Sequence, residues 1–210
     1  MSLLLVREAF LMVNKFFRAT FVILVLFSAS PVLARETYVA LVARMVDEAA
    51  TAKLERVDLE QKLFSLANSF RQANGIAALK PNQTAHNASL AHAMDMLQHN
   101  YMGHTASTGQ DFDSRMRALR NGAIFLPSMG ENAARLSRAD VGDPKAADKI
   151  FQQWVNSPPH RHTLLSRDYA TVATGVVAQG GKIYADQIFV GPEVVTNMAR
   201  VAPEQADGLY

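Results

Sequence analysis

The residues best suited to chemistry are a carboxylate and two histidines in short stretches with few charges. Glu131 follows Gly130 in the segment Met-Gly-Glu-Asn-Ala-Ala, His104 follows a glycine, and His160 stands in a Ser-Pro-Pro-His-Arg segment. Because glycine adopts backbone angles that other residues avoid, we expect the chain to turn sharply at Gly130 and direct Glu131 inward. Burial raises the pKa of a carboxylate unless donors or cations compensate, so Glu131 needs partners.

Zinc binding is one hypothesis for these residues. Two neutral imidazoles, His104 and His160, together with Glu131 are side chains that bind Zn²⁺ and leave a coordination position for water. In a hydrolase of this kind, His104 and His160 hold the metal and Glu131 acts as general base. The three residues are scattered, without the one-turn spacing that fixes two ligands on a helix. Zn²⁺ or another divalent cation is therefore a hypothesis, and no cofactor is required.

Two other interpretations use the same neighbourhood. Ser157 and His160 could meet across one turn as nucleophile and base, but two prolines separate them and no third group orients the imidazole. In a structural interpretation, His104 and His160 donate hydrogen bonds to Glu131 and Asp168 and so fix the loops that carry them. We favour this buried polar network as their main role, and the same network can still form the floor of a binding cleft.

Two aromatic side chains, Trp154 and His92, are predicted to be structural. Trp154 shares a helical face with Ile150 and Phe151, which places it in the hydrophobic core. His92 lies on the half-buried face of a predicted helix, where a neighbouring carbonyl satisfies imidazole more often than a ligand does. Neither residue is therefore expected to act on a substrate.

Residues 1–34 have the pattern of a targeting segment. Lys15 and Arg18 precede the apolar run 21–27, and Val32-Leu33-Ala34 is a small-residue cleavage site. The run is shorter than the roughly 20 residues of a membrane-spanning helix. We predict a cleaved signal peptide and export to the periplasm or outside the cell, with an uncleaved anchor as the alternative and Met12 as an alternative start.

The charge of the predicted mature chain argues against nucleic acid as a partner. The full sequence contains 21 basic and 19 acidic residues, and three basic residues and one acidic residue of these lie in the leader. The remainder is 18 of each, whereas nucleic-acid binding requires a clustered basic face. The chain has no cysteine, so the exported domain must be stabilised by its core rather than by disulfides.

Hydrophobic periodicity predicts the elements that position these residues. Helices are expected at 36–56, at 58–74 with Asp58 as its cap, at 82–100, at 111–121 and from Asp143 onward, with Pro158 and Pro159 ending the last helix. A short strand is expected at 123–126. Two further strands, 171–179 and 182–190, flank Gly180-Gly181, which is the signature of a two-residue hairpin in the middle of a sheet.

The order of these motifs resembles the CAP superfamily (cysteine-rich secretory proteins, antigen 5 and pathogenesis-related 1) in its cysteine-free bacterial SCP-domain form. The matching segments are Leu66 to Gly75, Ala91 to Met96, Gly103-His104 with Ser107-Thr108-Gly109, Gly130-Glu131-Asn132-Ala133, Trp154 to Arg161, and Tyr169 leading to Thr174-Gly175-Val176. The resemblance implies an α+β fold, a three-layer α-β-α sandwich with a small central antiparallel sheet. It also implies a cavity lined by two histidines and two acidic residues.

The family cavity fits this sequence in part. His104 and Glu131 match the first histidine of the family and the glutamate of its Gly-Glu-Asn motif. The second glutamate of the family falls on Ser157 and its second histidine on Asp168, while His160 can supply the missing imidazole from another direction. Structural roles are expected for Gly130, Asn132, Trp154, Tyr169 and His92.

The predicted organisation is a signal peptide at 1–34, a helical N-terminal extension at 35–57, a CAP/SCP domain at 58–192 and a C-terminal tail at 193–210. The resemblance implies a non-enzymatic binding or interaction module for a lipid, a peptide or a partner protein. A metal-assisted hydrolase is the alternative. No transmembrane span is expected after the leader has been removed.

Overall fold

The structure, a computed structural model, describes residues 36–120, 127–137 and 144–192. Within these ranges the chain forms helices on both sides of one sheet. The helices are α1 (Tyr38–Thr51), α2 (Val57–Ala73), α3 (Gln83–His99), α4 (Phe112–Leu119), α5 (Ala146–Asn156) and α6 (Pro158–Leu165). The strands are β1 (Lys80–Pro81), β2 (Met129–Ser137), β3 (Thr171–Gln179) and β4 (Lys182–Val190).

The sheet has the strand order β1-β3-β4-β2. Strands β3 and β4 form an antiparallel hairpin, and Gly180 and Gly181 turn it with positive φ values of 58° and 73°. Positive φ at both central residues is what a tight two-residue hairpin requires. Strand β2 pairs antiparallel with β4, while the two-residue β1 pairs parallel with β3. The predicted central hairpin is confirmed, and β2 is an edge strand.

The two faces of the sheet carry different helices because side chains alternate along each strand. Helices α1, α3 and α4 pack on the face that includes Tyr184. Helices α2, α5 and α6 pack on the other face around Trp154, Ile183 and Phe189. Trp154 is fully buried and its Nε1 donates to the carbonyl oxygen of Ala133 at 3.1 Å. The predicted three-layer sandwich and the core position of Trp154 are both confirmed.

The N-terminal helix α1 belongs to the same compact unit as the sheet. It packs against α3 and buries one continuous stripe of side chains, Tyr38, Leu41, Val42, Met45 and Ala49. The apolar face predicted from periodicity therefore packs against the sandwich, and α1 is part of the folded domain.

Three local predictions do not match the structure. Gly130 lies within β2 with an extended backbone, and no turn forms there. Pro158 and Pro159 end α5 but also begin α6, since proline lacks only an N–H that the first turn of a helix does not use. Asp58 does not cap α2, because its carboxylate accepts from Arg56 Nη2 at 2.6 Å.

Several other predictions concern residues outside the described ranges. These are the leader 1–34, the strand at 123–126, the cap Asp143 and the tail 193–210. Helix α5 itself begins at Ala146. In the part of the chain that the structure describes, no helix is both long and apolar enough to span a bilayer.

Candidate functional site

Strand geometry directs Glu131 into the protein. Glu131 and Asn132 are neighbours on β2, so their side chains point to opposite faces of the sheet. Asn132 reaches toward α6, where its Nδ2 donates to the carbonyl oxygen of His160 at 3.3 Å. Glu131 points toward α3 and α4, and its side chain is only 2% exposed. The buried carboxylate predicted from the sequence is present, although the extended strand rather than a turn produces it.

A buried arginine is the charge partner of Glu131. Arg115 on α4 is fully buried and donates from Nη2 to Glu131 Oε1 at 2.6 Å. The same nitrogen donates to the carbonyl oxygen of His104 at 3.1 Å. This bond connects the loop between α3 and α4 to the ion pair. Tyr38 of α1 lies close enough to interact with the guanidinium, and burial raises the pKa of its phenol. The N-terminal helix therefore helps to enclose the ion pair.

The two predicted histidines lie side by side next to this pair. His104 Nδ1 is 2.8 Å from Glu131 Oε2, and this hydrogen bond raises the pKa of His104. The ring of His160, on α6, stands edge-to-face at 6.2 Å from that of His104. Burial lowers the pKa of His160, and the charge of His104 lowers it further. His104 therefore holds its proton more strongly than His160 does.

Two buried groups complete the surroundings of Glu131. His92 on α3 donates from Nε2 to the carbonyl oxygen of Gly103 at 2.8 Å, while its buried Nδ1 has no hydrogen-bond partner within the described ranges. Asp186 on β4 is fully buried, and neither carboxylate oxygen receives a hydrogen bond from the described residues. His92, Glu131 and Asp186 each offer one atom, and these three atoms lie within 4.8 Å of one another.

The charge states of the two carboxyl groups follow from their different surroundings. Burial by itself would raise the pKa of Glu131, but the hydrogen bond from His104 and the charge of Arg115 outweigh it and hold this pKa low. Burial raises the pKa of Asp186 well above its usual value, and the charge of Glu131 adds to the effect. As a neutral acid, Asp186 can donate its proton to Glu131 in a hydrogen bond, which supplies the partner it lacks as a carboxylate.

The remaining predicted residues take other places. Asp168 is exposed, and its carboxylate accepts from the hydroxyl of Ser166 at 3.2 Å, so the structure does not bring it into the cluster. Ser157 is the half-buried junction between α5 and α6. Tyr169 packs against Phe189 with ring centroids 5.4 Å apart. Of the four residues expected to form one network, the structure brings together His104, Glu131 and His160.

Sequence reasoning missed Arg115 and Asp186 and gave His92 too little weight. A signal was available for Asp186, because it is the only charged residue in strand β4 after Lys182. Arg115 gave a weaker signal, since it is one of three arginines in the segment Ser-Arg-Met-Arg-Ala-Leu-Arg. Only the three-dimensional packing shows which of those arginines faces the carboxylate.

Metal ligation at this cluster differs from the sequence hypothesis. Within the described residues, two groups place three candidate ligand atoms within 4.8 Å, namely His92-Glu131-Asp186 and Glu55-Glu60-His86. The predicted trio of His104, His160 and Glu131 is not such a group. Both oxygens of Glu131 are already engaged, one by Arg115 and one by His104. The donor set at His104 and His160 therefore fits a metal ion poorly.

The comparison with known families identifies the family of this chain. The model of the Cysteine-rich secretory protein family matches residues 64–192, which is more than half of the chain. The chain belongs to this family, as its motifs predicted.

Two curated relatives come from Bacillus subtilis (strain 168). The uncharacterized protein YkwD is 29% identical over 133 residues, which are 63% of this chain and 47% of that protein. The uncharacterized membrane protein YlbC is 30% identical over 117 residues, which are 56% of this chain and 31% of that protein. The chain thus spans less than half the length of either relative.

Two solved structures share the fold. An extracellular SCP-domain protein from Bacillus anthracis str. Ames aligns with a TM-score of 0.50 and 28% identity, over 64% of this chain and 41% of that one. An outer surface protein of Borrelia burgdorferi aligns with a TM-score of 0.51 and 15% identity, over 63% of this chain and 92% of that one. Both similar proteins are therefore named for positions outside the cell or on its surface.

Proposed function

We propose that this protein is an exported, non-enzymatic binding module that acts in the cell envelope or outside the cell. Its ligand is a lipid, a peptide or a partner protein, and the surface around His104 and His160 contacts it. The observation that carries the proposal is the engagement of Glu131 by a buried arginine on one oxygen and a histidine on the other.

Because both oxygens of Glu131 are engaged, Glu131 is poorly suited to act as the general base of a metal-assisted hydrolase. A general base works best when its pKa lies near the working pH and a lone pair can reach the proton it takes. The His104 hydrogen bond and the Arg115 charge overcome the effect of burial and lower the pKa of Glu131, so it is a weak base. Ser157 stands where the family has its second glutamate, so that position cannot supply a replacement carboxylate.

The local charge indicates what this surface can bind. Arg115 and a protonated His104 together carry one positive charge more than Glu131 balances, and the raised pKa of Asp186 disfavours a compensating negative charge there. The His104 side chain is 52% exposed, and its neighbour His160 is half-buried. An exposed imidazolium beside a second imidazole favours an anionic group, such as a carboxylate or a phosphate, on the ligand.

Binding measurements with matched variants test the proposal. The mature protein is tested without a histidine tag against vesicles containing phosphatidylglycerol and against peptides with free C-terminal carboxylates. Replacing both His104 and His160 with glutamine should weaken binding by about tenfold, equivalent to about 1.4 kcal/mol. The variant His162→Gln is the matched control, since His162 is an exposed histidine on the same helix as His160, and it should bind normally.

A hydrolase remains the second candidate because the family cavity pairs histidines with an acid. It predicts turnover of ester or peptide substrates in the presence of Zn²⁺, lost in both His104→Gln and Glu131→Gln. Such turnover would overturn the binding proposal. Unchanged ligand binding by the double histidine variant would instead show that this surface is not the binding surface.

A further inference from the structure

A second group of candidate ligands lies apart from Glu131 and shares no residue with that cluster. His86 Nε2 is 3.0 Å from Glu60 Oε2 and 3.5 Å from Glu55 Oε1. The three ligand atoms all lie within 4.8 Å of one another. The side chains are held away from solvent, with 24% of His86, 24% of Glu55 and 9% of Glu60 exposed.

Three separate elements hold these side chains in place. Glu55 forms an isolated antiparallel bridge with Val177 of β3. Glu60 stands in the first turn of α2, and its Oε1 accepts from the backbone N–H of Val176 at 2.8 Å, which leaves Oε2 directed at the imidazole. His86 lies on α3. Because each residue is anchored by its own element, the group is organised before any ligand arrives.

The distances suit a small divalent cation. Zn²⁺ binds histidine nitrogen and carboxylate oxygen at about 2.0–2.2 Å, so neighbouring ligands of a tetrahedral ion are about 3.3–3.5 Å apart. The distances from His86 Nε2 to Glu60 Oε2 and to Glu55 Oε1, 3.0 and 3.5 Å, lie close to this spacing.

The charge balance also favours a cation. Two carboxylates with one imidazole carry a net negative charge even when the imidazole is protonated, and the three side chains are largely shielded from water. A divalent ion bound to a neutral imidazole would balance the two carboxylates completely. Burial and the charge of Glu60 raise the pKa of Glu55, as expected where two carboxylates crowd one another.

A cavity adjoins the group. Its volume is about 410 Å³, and its wall includes His86, Glu60, Phe64, Pro81 and Val172. Because two of the three candidate ligands line this cavity, an ion there can complete its coordination with water or with a small ligand in the cavity. We propose that Glu55, Glu60 and His86 form a divalent-cation site of the zinc type that opens into this cavity.

Zinc titration in a controlled background tests this site independently of the proposed binding function. The starting protein carries His104→Gln and His160→Gln and no histidine tag, so that zinc bound by those histidines or by a tag is excluded. Isothermal titration should still show one Zn²⁺ per chain, and Co²⁺ should give the visible absorption bands of a four-coordinate site. Zinc should also raise the melting temperature, since an ion that binds only the folded state stabilises it.

Single variants in that background assign the ligands. Glu55→Gln and His86→Gln should each weaken zinc binding by roughly 100-fold or more, because losing a residue that merely supports a ligand already costs about 10–100-fold. Glu60 is left unchanged, since it also accepts from Val176 and its loss would disturb the backbone. His162→Gln is the control and should bind zinc normally.

Two outcomes would overturn the site. The first is the absence of zinc binding in the starting background, and the second is zinc binding that Glu55→Gln and His86→Gln leave unchanged. Circular dichroism of each variant shows whether it folds. If either ligand variant fails to fold, Glu55→Asp provides the decision, since it keeps the charge but shortens the side chain by one methylene and should lower zinc affinity by about tenfold. Unchanged affinity in that variant would count against the site.

Discussion

The ion pair between Arg115 and Glu131 has both members withdrawn from water, with side-chain exposures of 0% and 2%. A buried pair adds little stability by itself, because removing two charges from water costs about as much as their attraction returns. Removing only one member strongly destabilises the protein, since the other charge then stays buried without a partner. The pair is therefore sensitive to single substitutions in a way that surface pairs are not.

Glu131→Gln should lower the free energy of unfolding at neutral pH by about 3–5 kcal/mol, because Arg115 remains buried without its counter-charge. Chemical denaturation measures this loss. The double variant with Arg115→Met should cost clearly less than the sum of the two single variants. Glu48→Gln is the matched control, since Glu48 is partly exposed and pairs with Arg44 at the surface, and it should cost about 1 kcal/mol or less. Strictly additive single effects would show that the two charges are not coupled.

Asp186 gives a prediction about pH. Its folded-state pKa is raised by burial and by Glu131, so the folded protein keeps a proton that the unfolded chain releases above its ordinary pKa of 3.8. Stability is therefore lost as pH rises from about 4 toward the folded-state pKa, by up to about 1.4 kcal/mol per pH unit. Asp186→Asn cannot ionise, so its stability relative to the wild type should increase with pH over this window.

Denaturation at pH values from 4 to 8 measures this difference. Asp47→Asn, at an exposed position on α1, serves as the control for the substitution itself. The neighbouring groups Glu131, Arg115 and His92 are the same in both proteins, so their own titration largely cancels. A constant difference for Asp186→Asn would mean that Asp186 is ionised in the folded protein.

Among the individual residues of the candidate site, only some could be predicted from the sequence. His104, Glu131 and His160 could be found because each stands in a short motif with a glycine or prolines nearby. Asp186 stands out as a charged residue within β4, but its partner does not follow from the sequence, and neither does that of Arg115, because both depend on which side of a helix or strand faces Glu131. The family resemblance places Asp168 at the second histidine, but its carboxylate accepts from the Ser166 hydroxyl in the local loop, which motif order does not reveal.

Among the elements, β2 shows how a glycine can serve packing instead of turning the chain. A Cβ at Gly130 would collide with the hydroxyl of Tyr169 and would lie 3.0 Å from Thr163 Cγ2. Its backbone is extended, so the requirement is for space and not for a special conformation. The missing side chain lets the segment carrying Tyr169 close over the strand that carries Glu131.

Gly130→Ala should therefore destabilise the protein by about 1–3 kcal/mol, the usual cost of forcing an extra methyl group into a packed site. Thermal or chemical denaturation measures the loss. Adding Tyr169→Phe removes the colliding hydroxyl and should recover part of it. Gly103→Ala is the matched control, because a Cβ there meets nothing within 4 Å. Equal effects of the two alanine variants would rule out the steric explanation.

The elements themselves were largely predictable. Periodicity located α1 to α4 and the β3–β4 hairpin to within a few residues, since each has a long periodic pattern with a clear cap or turn. The errors came from residues with two possible uses. Pro158 stops one helix and starts another, and a glycine before an acid favours a turn unless the strand partner is known. Strand β2 depends on its pairing with β4, which is distant in sequence.

For the whole molecule, the boundary of the domain differs from the boundary of the family match. The match begins at residue 64, yet α1 lies earlier and buries five side chains against the sandwich. Tyr38 at its start also interacts with Arg115, next to Glu131. We therefore expect the segment predicted as an extension to be required both for folding and for enclosing the ion pair.

A chain that begins at Val57 should be far less stable than one that begins at Arg35. Burying one leucine, valine or methionine contributes about 1.5–3 kcal/mol, so losing Leu41, Val42 and Met45 together removes about 5 kcal/mol or more. That loss is comparable to the entire stability of many domains, about 5–15 kcal/mol. Denaturation curves of the two chains measure the difference.

A pair of point variants separates packing from chain length. Met45→Ala, at 2% exposure, should cost about 2–5 kcal/mol, whereas Val39→Ala, at 50% exposure on the same helix, should cost about 0.5 kcal/mol or less. If the chain from Val57 unfolds with the same free energy as the longer chain, α1 is dispensable and the domain begins near the family boundary. If Met45→Ala is costly and the shortened chain fails to fold, the first helix belongs to the core, and Arg115 and Glu131 depend on it for their separation from water.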